Sequence, residues 1–182
     1  MAVSKLDFLH RSTSRNRPEE SASCLENSGE KLRLADEAPE VLQNSLKEFS
    51  ANYRYLSVHL DADTQALRCV QRHPGRPCFS RGLLSEVLDL QLTLKAQFSG
   101  MARDQLPFHY LVWGSSLPGI YNLGGDLEHF CNLVREQDAE GLHDYARRCI
   151  EVCYLNATSL DLPILTAALV QGDALGLSLI HI

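Results

Sequence analysis

Two glycines followed by an aspartate, Gly124, Gly125 and Asp126, lie where an apolar segment gives way to a helical pattern. Glycine adopts backbone angles that other residues avoid and lets the backbone approach a ligand closely. An aspartate at this position can cap the helix, whose first N–H groups carry partial positive charge. A strand–turn–helix of this kind can hold an oxyanion or a thioester carbonyl, although it can equally be a tight structural turn.

Length and composition are those of one ordinary soluble domain. The chain has 182 residues, of which 45% are apolar and 22% charged, and its formal net charge is -6. A net acidic surface does not favour nucleic acid or an anionic membrane as the main partner. The N-terminus has no apolar run typical of a signal peptide, and no segment approaches the roughly 20 apolar residues of a membrane-spanning helix. We therefore expect a cytoplasmic protein without membrane insertion.

The cysteines do not have the spacing of a metal site. There are six of them, without any CxxC pair, and only Cys149 and Cys153 stand four residues apart in a predicted helix. Two thiolates on one helix face need a second pair of ligands to complete a site, and none follows. We interpret the cysteines as small buried apolar residues in a reducing compartment, and we expect neither a metal nor a cofactor.

The helices and strands that position the glycine turn are predicted from hydrophobic periodicity and from the glycine and proline residues that interrupt it. Residues 1–37 are polar and aperiodic, which is typical of a disordered tail. The remaining pattern predicts a short helix over 39–49, strands over 54–60 and 65–70, a helix from the Ser80 cap to 98, a strand over 108–113 covered on both faces, helices over 126–135 and 139–155, and a short buried strand over 166–170. This order is an α/β pattern.

Two helices carry a clear apolar face. The first has a broad stripe that consists of Leu83, Leu84, Val87, Leu90 and Leu94, widened by Leu88 and Leu92. The inner face of the last helix is predicted to consist of Leu142, Tyr145, Ala146, Cys149, Val152 and Cys153. Both faces recur at helical spacing, so they should pack on the sheet.

Two segments resemble a known family. The run Tyr121–Leu127 is similar to the first oxyanion-hole motif of the crotonase (enoyl-CoA hydratase/isomerase) superfamily, and Ala168–Gly176 is similar to the start of its second motif. Within that superfamily the chain most resembles the diffusible-signal-factor synthases of bacterial quorum sensing, with similar sequence at residues 74–80, 122–136 and 144–149. The resemblance covers about residues 53–176.

The resemblance implies a fold, a chemistry and a set of site residues. The fold is a spiral of repeated ββα units, usually in a homotrimer, that binds acyl thioesters of coenzyme A or acyl carrier protein. Two backbone N–H groups polarise the thioester carbonyl and stabilise the enolate, each lowering the barrier by roughly 3–4 kcal/mol. By position, the Leu123 N–H would be the first donor, while Gly124, Gly125, Asp126 and Gly176 would shape the pocket. The implied reaction dehydrates a 3-hydroxyacyl carrier-protein thioester to a cis-2-enoyl product and hydrolyses the thioester.

The chain departs from the family pattern after Gly176. Leu177 occupies the position of the glycine that donates the second oxyanion N–H, and Ile180 occupies that of the first catalytic glutamate. The family's second glutamate lies further downstream than Ile182. We therefore expect 38–176 to be the N-terminal part of an incomplete crotonase-like domain and 177–182 to be an unrelated, non-native tail. Because proton transfer needs a positioned carboxyl, we expect this polypeptide to be inactive.

Alternatives to this assignment remain open. The chain could come from an ordinary enoyl-CoA hydratase or isomerase, or from a non-catalytic binding protein that keeps the scaffold. Glu128 and His129 could form an acid–base pair, but we interpret them as first-turn helix residues. Arg147 and Arg148 could meet a phosphate of the carrier arm, but a solvated helix face is the favoured interpretation.

Overall fold

The computed structural model describes Asn44 and residues 46–175, and the structural statements below concern this part of the chain. The predicted tail over 1–37, most of the predicted helix over 39–49, and the site positions Gly176, Leu177 and Ile180 lie outside it. Residues 46–49 are helical, in agreement with the end of that predicted helix, and Leu46 is buried.

The strands form one four-stranded sheet and one two-stranded sheet. In chain order they are β1 (Leu56–Asp61), β2 (Ala66–Gln71), β3 (Tyr110–Ser115), β4 (Gly119–Asn122), β5 (Leu165–Ala168) and β6 (Gly172–Ala174). The larger sheet has the order β1-β2-β3-β5, with an antiparallel β1–β2 pair and parallel pairs thereafter. The smaller sheet is the parallel pair β4–β6.

Three helices alternate with the strand pairs. They are α1 (Arg81–Phe98), α2 (Leu127–Arg135) and α3 (Ala139–Ala157), and short 3₁₀ turns occupy Arg103–Gln105 and Ser159–Asp161. Two strands and a helix are therefore followed by two strands and two helices, and then by two more strands. This order confirms the predicted α/β class and the repetition of a ββα unit.

The core lies between one face of the larger sheet and the packed helices α1 and α3. On β1 the buried side chains are Leu56, Val58 and Leu60, as the alternation predicts. In register with them on the neighbouring strands, Leu67 and Cys69 of β2 lie beside Leu111 and Trp113 of β3. The five leucine and valine positions predicted for the stripe of α1 are all buried.

Side-chain caps start the helices where the sequence predicts them. The Ser80 hydroxyl accepts a hydrogen bond from the Leu83 N–H at 3.3 Å. Asp126 accepts one from the His129 N–H at 3.1 Å, so it is the cap of α2, which begins one residue later. Each such cap stabilises its helix by about 1 kcal/mol relative to alanine.

Both predictions of fully covered strands are wrong. Only one face of β3 is covered by helices in the described part, and Tyr110 is 40% exposed. The segment predicted as a buried strand over 166–170 contains β5, which is the edge of the larger sheet. Leu165 in this strand and Leu169 and Val170 after it are exposed, because no described element packs against them.

Two helix positions also differ from the predicted faces. Leu92 is 46% exposed because it points away from the sheet on α1, so the apolar stripe is narrower than predicted. Ala146 is exposed on α3, although Tyr145, Cys149 and Val152 are buried as predicted. An apolar residue at a stripe's border is buried only if the neighbouring element reaches it.

Candidate functional site

The glycine turn connects the end of β4 at Asn122 to the start of α2 at Leu127. Gly124 has a φ of 90°, which L residues with a side chain rarely adopt. Glycine at this position is thus needed for the backbone path. Gly124 is buried, whereas Gly125 and Asp126 are half-buried.

Two buried amide side chains hold the turn in place. The Asn122 Oδ1 accepts a hydrogen bond from the Gly124 N–H at 2.8 Å. Its Nδ2 donates to the Gln71 Oε1, also at 2.8 Å, and both side chains are fully buried. Sequence reasoning missed Gln71. The signal was its place two residues after Cys69 on the inward face of β2, where a polar side chain needs a buried partner.

The parallel pair β4–β6 brings the two family-like motifs together. Ile120 is in register with Asp173, and the Leu175 N–H donates to the Asn122 carbonyl oxygen at 3.0 Å. Gly172 has a φ of 137°, and a Cβ there would collide with the Gly119 backbone. The described part of the second motif is therefore adjacent to the glycine turn, while Gly176 and Leu177 lie outside the described residues.

The N–H groups of residues 123–126 are not equally available. The Leu123 N–H, expected to polarise the carbonyl, donates to the Pro77 carbonyl oxygen at 2.7 Å. The N–H groups of Gly124 and Asp126 are also bonded. Within the described part of the chain, the Gly125 N–H has no acceptor. In this conformation Gly125, rather than Leu123, has the backbone donor that is free to meet a ligand.

A polar cavity of about 300 Å³ adjoins the turn. Such a volume is at the lower end of the range for small-molecule sites. The cavity is lined by Arg54, Tyr55, His73, Pro74, Gly75, Arg76, Cys78, Ser80, Asp126 and Glu128. Arg76 and Glu128 form an ion pair at 3.1 Å between the two sides of the cavity. Both side chains are more than half exposed, so the pair adds little stability and is easily exchanged for a ligand.

Neither His73 nor Cys78 is poised as a reactive group in the cavity. Burial lowers the pKa of His73, which favours the neutral imidazole. Burial raises the pKa of the Cys78 thiol, and the negative charge of Asp126 raises it further. Because the thiolate is the nucleophilic form, Cys78 is not activated. The cavity is thus suited to binding rather than to nucleophilic chemistry.

The first-turn residues of α2 have structural partners. Glu128 pairs with Arg76, and the His129 ring packs edge-on against Tyr145 with centroids 5.3 Å apart. Both residues lie in the first helical turn, as interpreted from the sequence.

On α3, Arg147 and Arg148 both bond the Asp144 carboxylate, at 3.2 and 2.9 Å. These contacts favour the interpretation of the two arginines as part of a helix surface.

The described part of the chain has neither a metal-binding cluster nor a membrane-spanning helix. No group of three or more His, Cys, Asp or Glu side chains there could hold a metal ion. None of the described helices has the length and apolarity needed to cross a bilayer. The described cysteines are unpaired; Cys69, Cys78 and Cys149 are buried, whereas Cys131 is exposed and Cys153 is half-buried.

The fold is similar to that of several solved structures. DspI from Pseudomonas aeruginosa matches 65% of this chain at 19% identity and a TM-score of 0.51, over 42% of its own length. An enoyl-CoA hydratase from Bacillus halodurans matches 65% at 18% identity and a TM-score of 0.52, also over 42% of its length. AtuE from Pseudomonas aeruginosa matches 65% at 20% identity and 0.51, over 41% of its length. No protein-family model and no curated protein matches the chain.

These likenesses establish the fold. The described residues have the α/β architecture of the crotonase fold, as the two motifs predicted. The chain spans about two fifths of the length of the structures that it matches, so it has part of that fold.

Proposed function

We propose that this chain carries the carbonyl-binding part of a crotonase-fold acyl-thioester enzyme that resembles the diffusible-signal-factor synthases. The parent reaction would be dehydration of a 3-hydroxyacyl carrier-protein thioester to a cis-2-enoyl product, with thioester hydrolysis. One observation carries this proposal. The free Gly125 N–H lies in a glycine turn, next to a polar cavity and beside the start of the second motif.

The chemistry requires a fixed donor at the carbonyl oxygen. Removing a proton from the α-carbon of a thioester concentrates negative charge on that oxygen as the enolate forms. A preorganised N–H at this position contributes about 3–4 kcal/mol to transition-state stabilisation. The Gly125 N–H supplies one such donor, and Gly124 and Asp126 shape the pocket around it. The resemblance alone assigns Gly176 to the same pocket. The second N–H donor to the carbonyl oxygen would be the backbone N–H of Leu177, at the position where the family has glycine.

The carrier arm needs a positive environment for its phosphate. Arg54 and Arg76 line the cavity, and Arg76 can exchange Glu128 for a phosphate oxygen. Guanidinium groups bind phosphate with paired hydrogen bonds. Both coenzyme A and acyl carrier protein present this phosphate, so either carrier satisfies the proposal. The parent protein is proposed to act in the cytoplasm as a homotrimer.

We expect this polypeptide to bind a thioester without converting it to product. Ile180 occupies the glutamate position, and an aliphatic side chain cannot transfer a proton. A general acid or base contributes about 10²–10⁴-fold to the rate. We therefore expect the 182-residue chain to bind thioesters without dehydrating them. Enoyl product formed from a 3-hydroxyacyl thioester by the purified chain would contradict this expectation.

The test compares two ligands that differ only at the carbonyl. Calorimetry measures the affinity for octanoyl-CoA and for its thioether, S-octyl-CoA, which has no carbonyl oxygen. We expect the thioester to bind more tightly, since only it can accept the Gly125 hydrogen bond. Equal affinities would contradict the role of the turn, and absence of binding by both would contradict the proposed function itself.

A further inference from the structure

The Tyr145 hydroxyl connects the two backbone segments that form the site. It accepts a hydrogen bond from the Asp126 N–H at 2.6 Å and donates one to the Phe79 carbonyl oxygen at 2.9 Å. The side chain is only 6% exposed, so water does not readily replace it. A single oxygen on α3 thus joins the last residue of the glycine turn to the loop that leads into α1.

The hydroxyl bonds two backbone groups next to a short parallel bridge. Phe79 and Gly125 form an isolated parallel bridge, in which the Phe79 N–H donates to the Gly124 carbonyl oxygen at 2.7 Å. A parallel bridge of this kind also directs the Asp126 N–H towards the Phe79 carbonyl oxygen. The Tyr145 hydroxyl bonds both of these groups. It therefore ties the two segments together at the end of the bridge.

The neighbours of Tyr145 fix its ring and its protonation state. The His129 ring packs against it edge-on at 5.3 Å, and His129 is itself held by the Asp126 cap. Burial raises the pKa of the phenol, so the hydroxyl keeps the proton that it donates to Phe79. Phenylalanine would fill the same space but could neither accept nor donate.

We propose that Tyr145 is a positioning residue for the thioester carbonyl, because its two hydrogen bonds set where the Gly125 N–H points. This inference rests on the proposed function. Without the hydroxyl, the Asp126 N–H and the Phe79 carbonyl lose their shared buried partner. The peptide unit between Gly125 and Asp126, which adjoins the donor, is then held less firmly. Phosphate recognition by Arg54 and Arg76 does not depend on this contact.

The test measures the stretching frequency of the thioester carbonyl. The probe is octanoyl-CoA labelled with ¹³C at the carbonyl, and difference infrared spectroscopy compares the bound and free stretching frequencies. Hydrogen bonding to the oxygen lowers this frequency. For Tyr145→Phe we expect the lowering to fall to about half or less of the wild-type value, while affinity changes by less than about threefold. The matched control is Tyr154→Phe, which removes a hydroxyl from a 61%-exposed side chain on the same helix and should leave both values unchanged.

A second measurement does not depend on the folding of a variant. In wild-type protein labelled with ¹⁵N-glycine, the Gly125 amide resonance should shift on addition of octanoyl-CoA, well beyond that of the buried, already bonded Gly124 amide. A bound thioester that leaves the Gly125 resonance unmoved would overturn the inference, as would a full carbonyl shift in Tyr145→Phe. A full carbonyl shift in Tyr145→Phe leaves the proposed function intact, whereas an unmoved Gly125 resonance also contradicts the role proposed there for the Gly125 N–H. Absence of wild-type binding overturns the two together.

Discussion

Replacing Asn122 by alanine tests whether the buried amide pair holds the glycine turn. The Asn122 side chain is fully buried and bonds both Gln71 and the Gly124 N–H at 2.8 Å. Alanine leaves two buried polar groups without partners, and each such group costs about 1–3 kcal/mol. We therefore expect the free energy of unfolding to fall by about 2–6 kcal/mol. At about 2–4 °C per kcal/mol, the midpoint of thermal unfolding falls by roughly 4–24 °C.

The matched control is Asn132→Ala. Asn132 lies on α2 and accepts a single exposed hydrogen bond from Arg135 at 3.1 Å. Its replacement should change stability by no more than about 0.5 kcal/mol. Circular dichroism in a urea series measures both variants. If Asn122→Ala is as stable as Asn132→Ala, the amide pair does not hold the turn and the reasoning is refuted.

A double-mutant cycle with Gln71→Ala isolates the contact between the two amides. Side chains in direct contact have coupling energies of about 0.5–3 kcal/mol. Asn122→Ala should therefore be less destabilising in the Gln71→Ala background, since the Gln71 Oε1 is no longer left unpaired. Strict additivity would mean that the 2.8 Å contact contributes nothing.

Three further changes test the turn, the sheet edge and the surface of α3. Gly124→Ala should destabilise by about 1–2 kcal/mol because of its φ of 90°, whereas Gly114→Ala, which has open space around its Cβ and no positive φ, should be nearly neutral in urea unfolding. An exposed apolar strand edge promotes association between chains, so Leu169→Lys beside β5 should reduce light scattering of concentrated samples more than Leu92→Lys does, although both leucines are 46% exposed. Equal effects would reject edge pairing as a cause of association. Arginine contacts lower the pKa of Asp144 below its usual 3.8. The ionised carboxylate therefore contributes its full stabilisation of the fold above pH 3.8, and this stabilisation is lost as the pH falls through the lowered pKa of the folded state. Asp144→Asn should remove this acid dependence and cost up to about 1 kcal/mol at low salt and less at high salt, as measured by unfolding across pH.

Short-range patterns in the sequence were sufficient for most of the local structure. The alternation of Leu56, Val58 and Leu60 predicted the buried face of β1, since successive side chains on a strand point to opposite sides. The caps at Ser80 and Asp126 were predictable because a cap bonds an N–H only three residues away. The two family-like motifs predicted the fold that the structural comparison supports.

Burial at sheet and helix borders was not predictable in the same way. Apolar composition predicted buried strands at 108–113 and 166–170, yet Tyr110 and Leu165 are exposed. The amino-acid composition of a strand indicates that its side chains fit a pleated, half-buried surface. It does not indicate which elements cover that surface. Covering depends on neighbours that are distant in the chain.

The sequence by itself determined the glycine turn, its cap and the fold class, because each depends on local spacing. Tertiary structure alone decided which N–H of the turn is free. The Leu123 N–H is taken by Pro77, and Tyr145 reaches from α3 to bond both Asp126 and Phe79, residues 19 and 66 positions away. A backbone donor is available or occupied according to what the fold brings against it. No local pattern encodes that. In this structure the Leu123 N–H is bonded and the Gly125 N–H is free, so Gly125 is the donor that we propose.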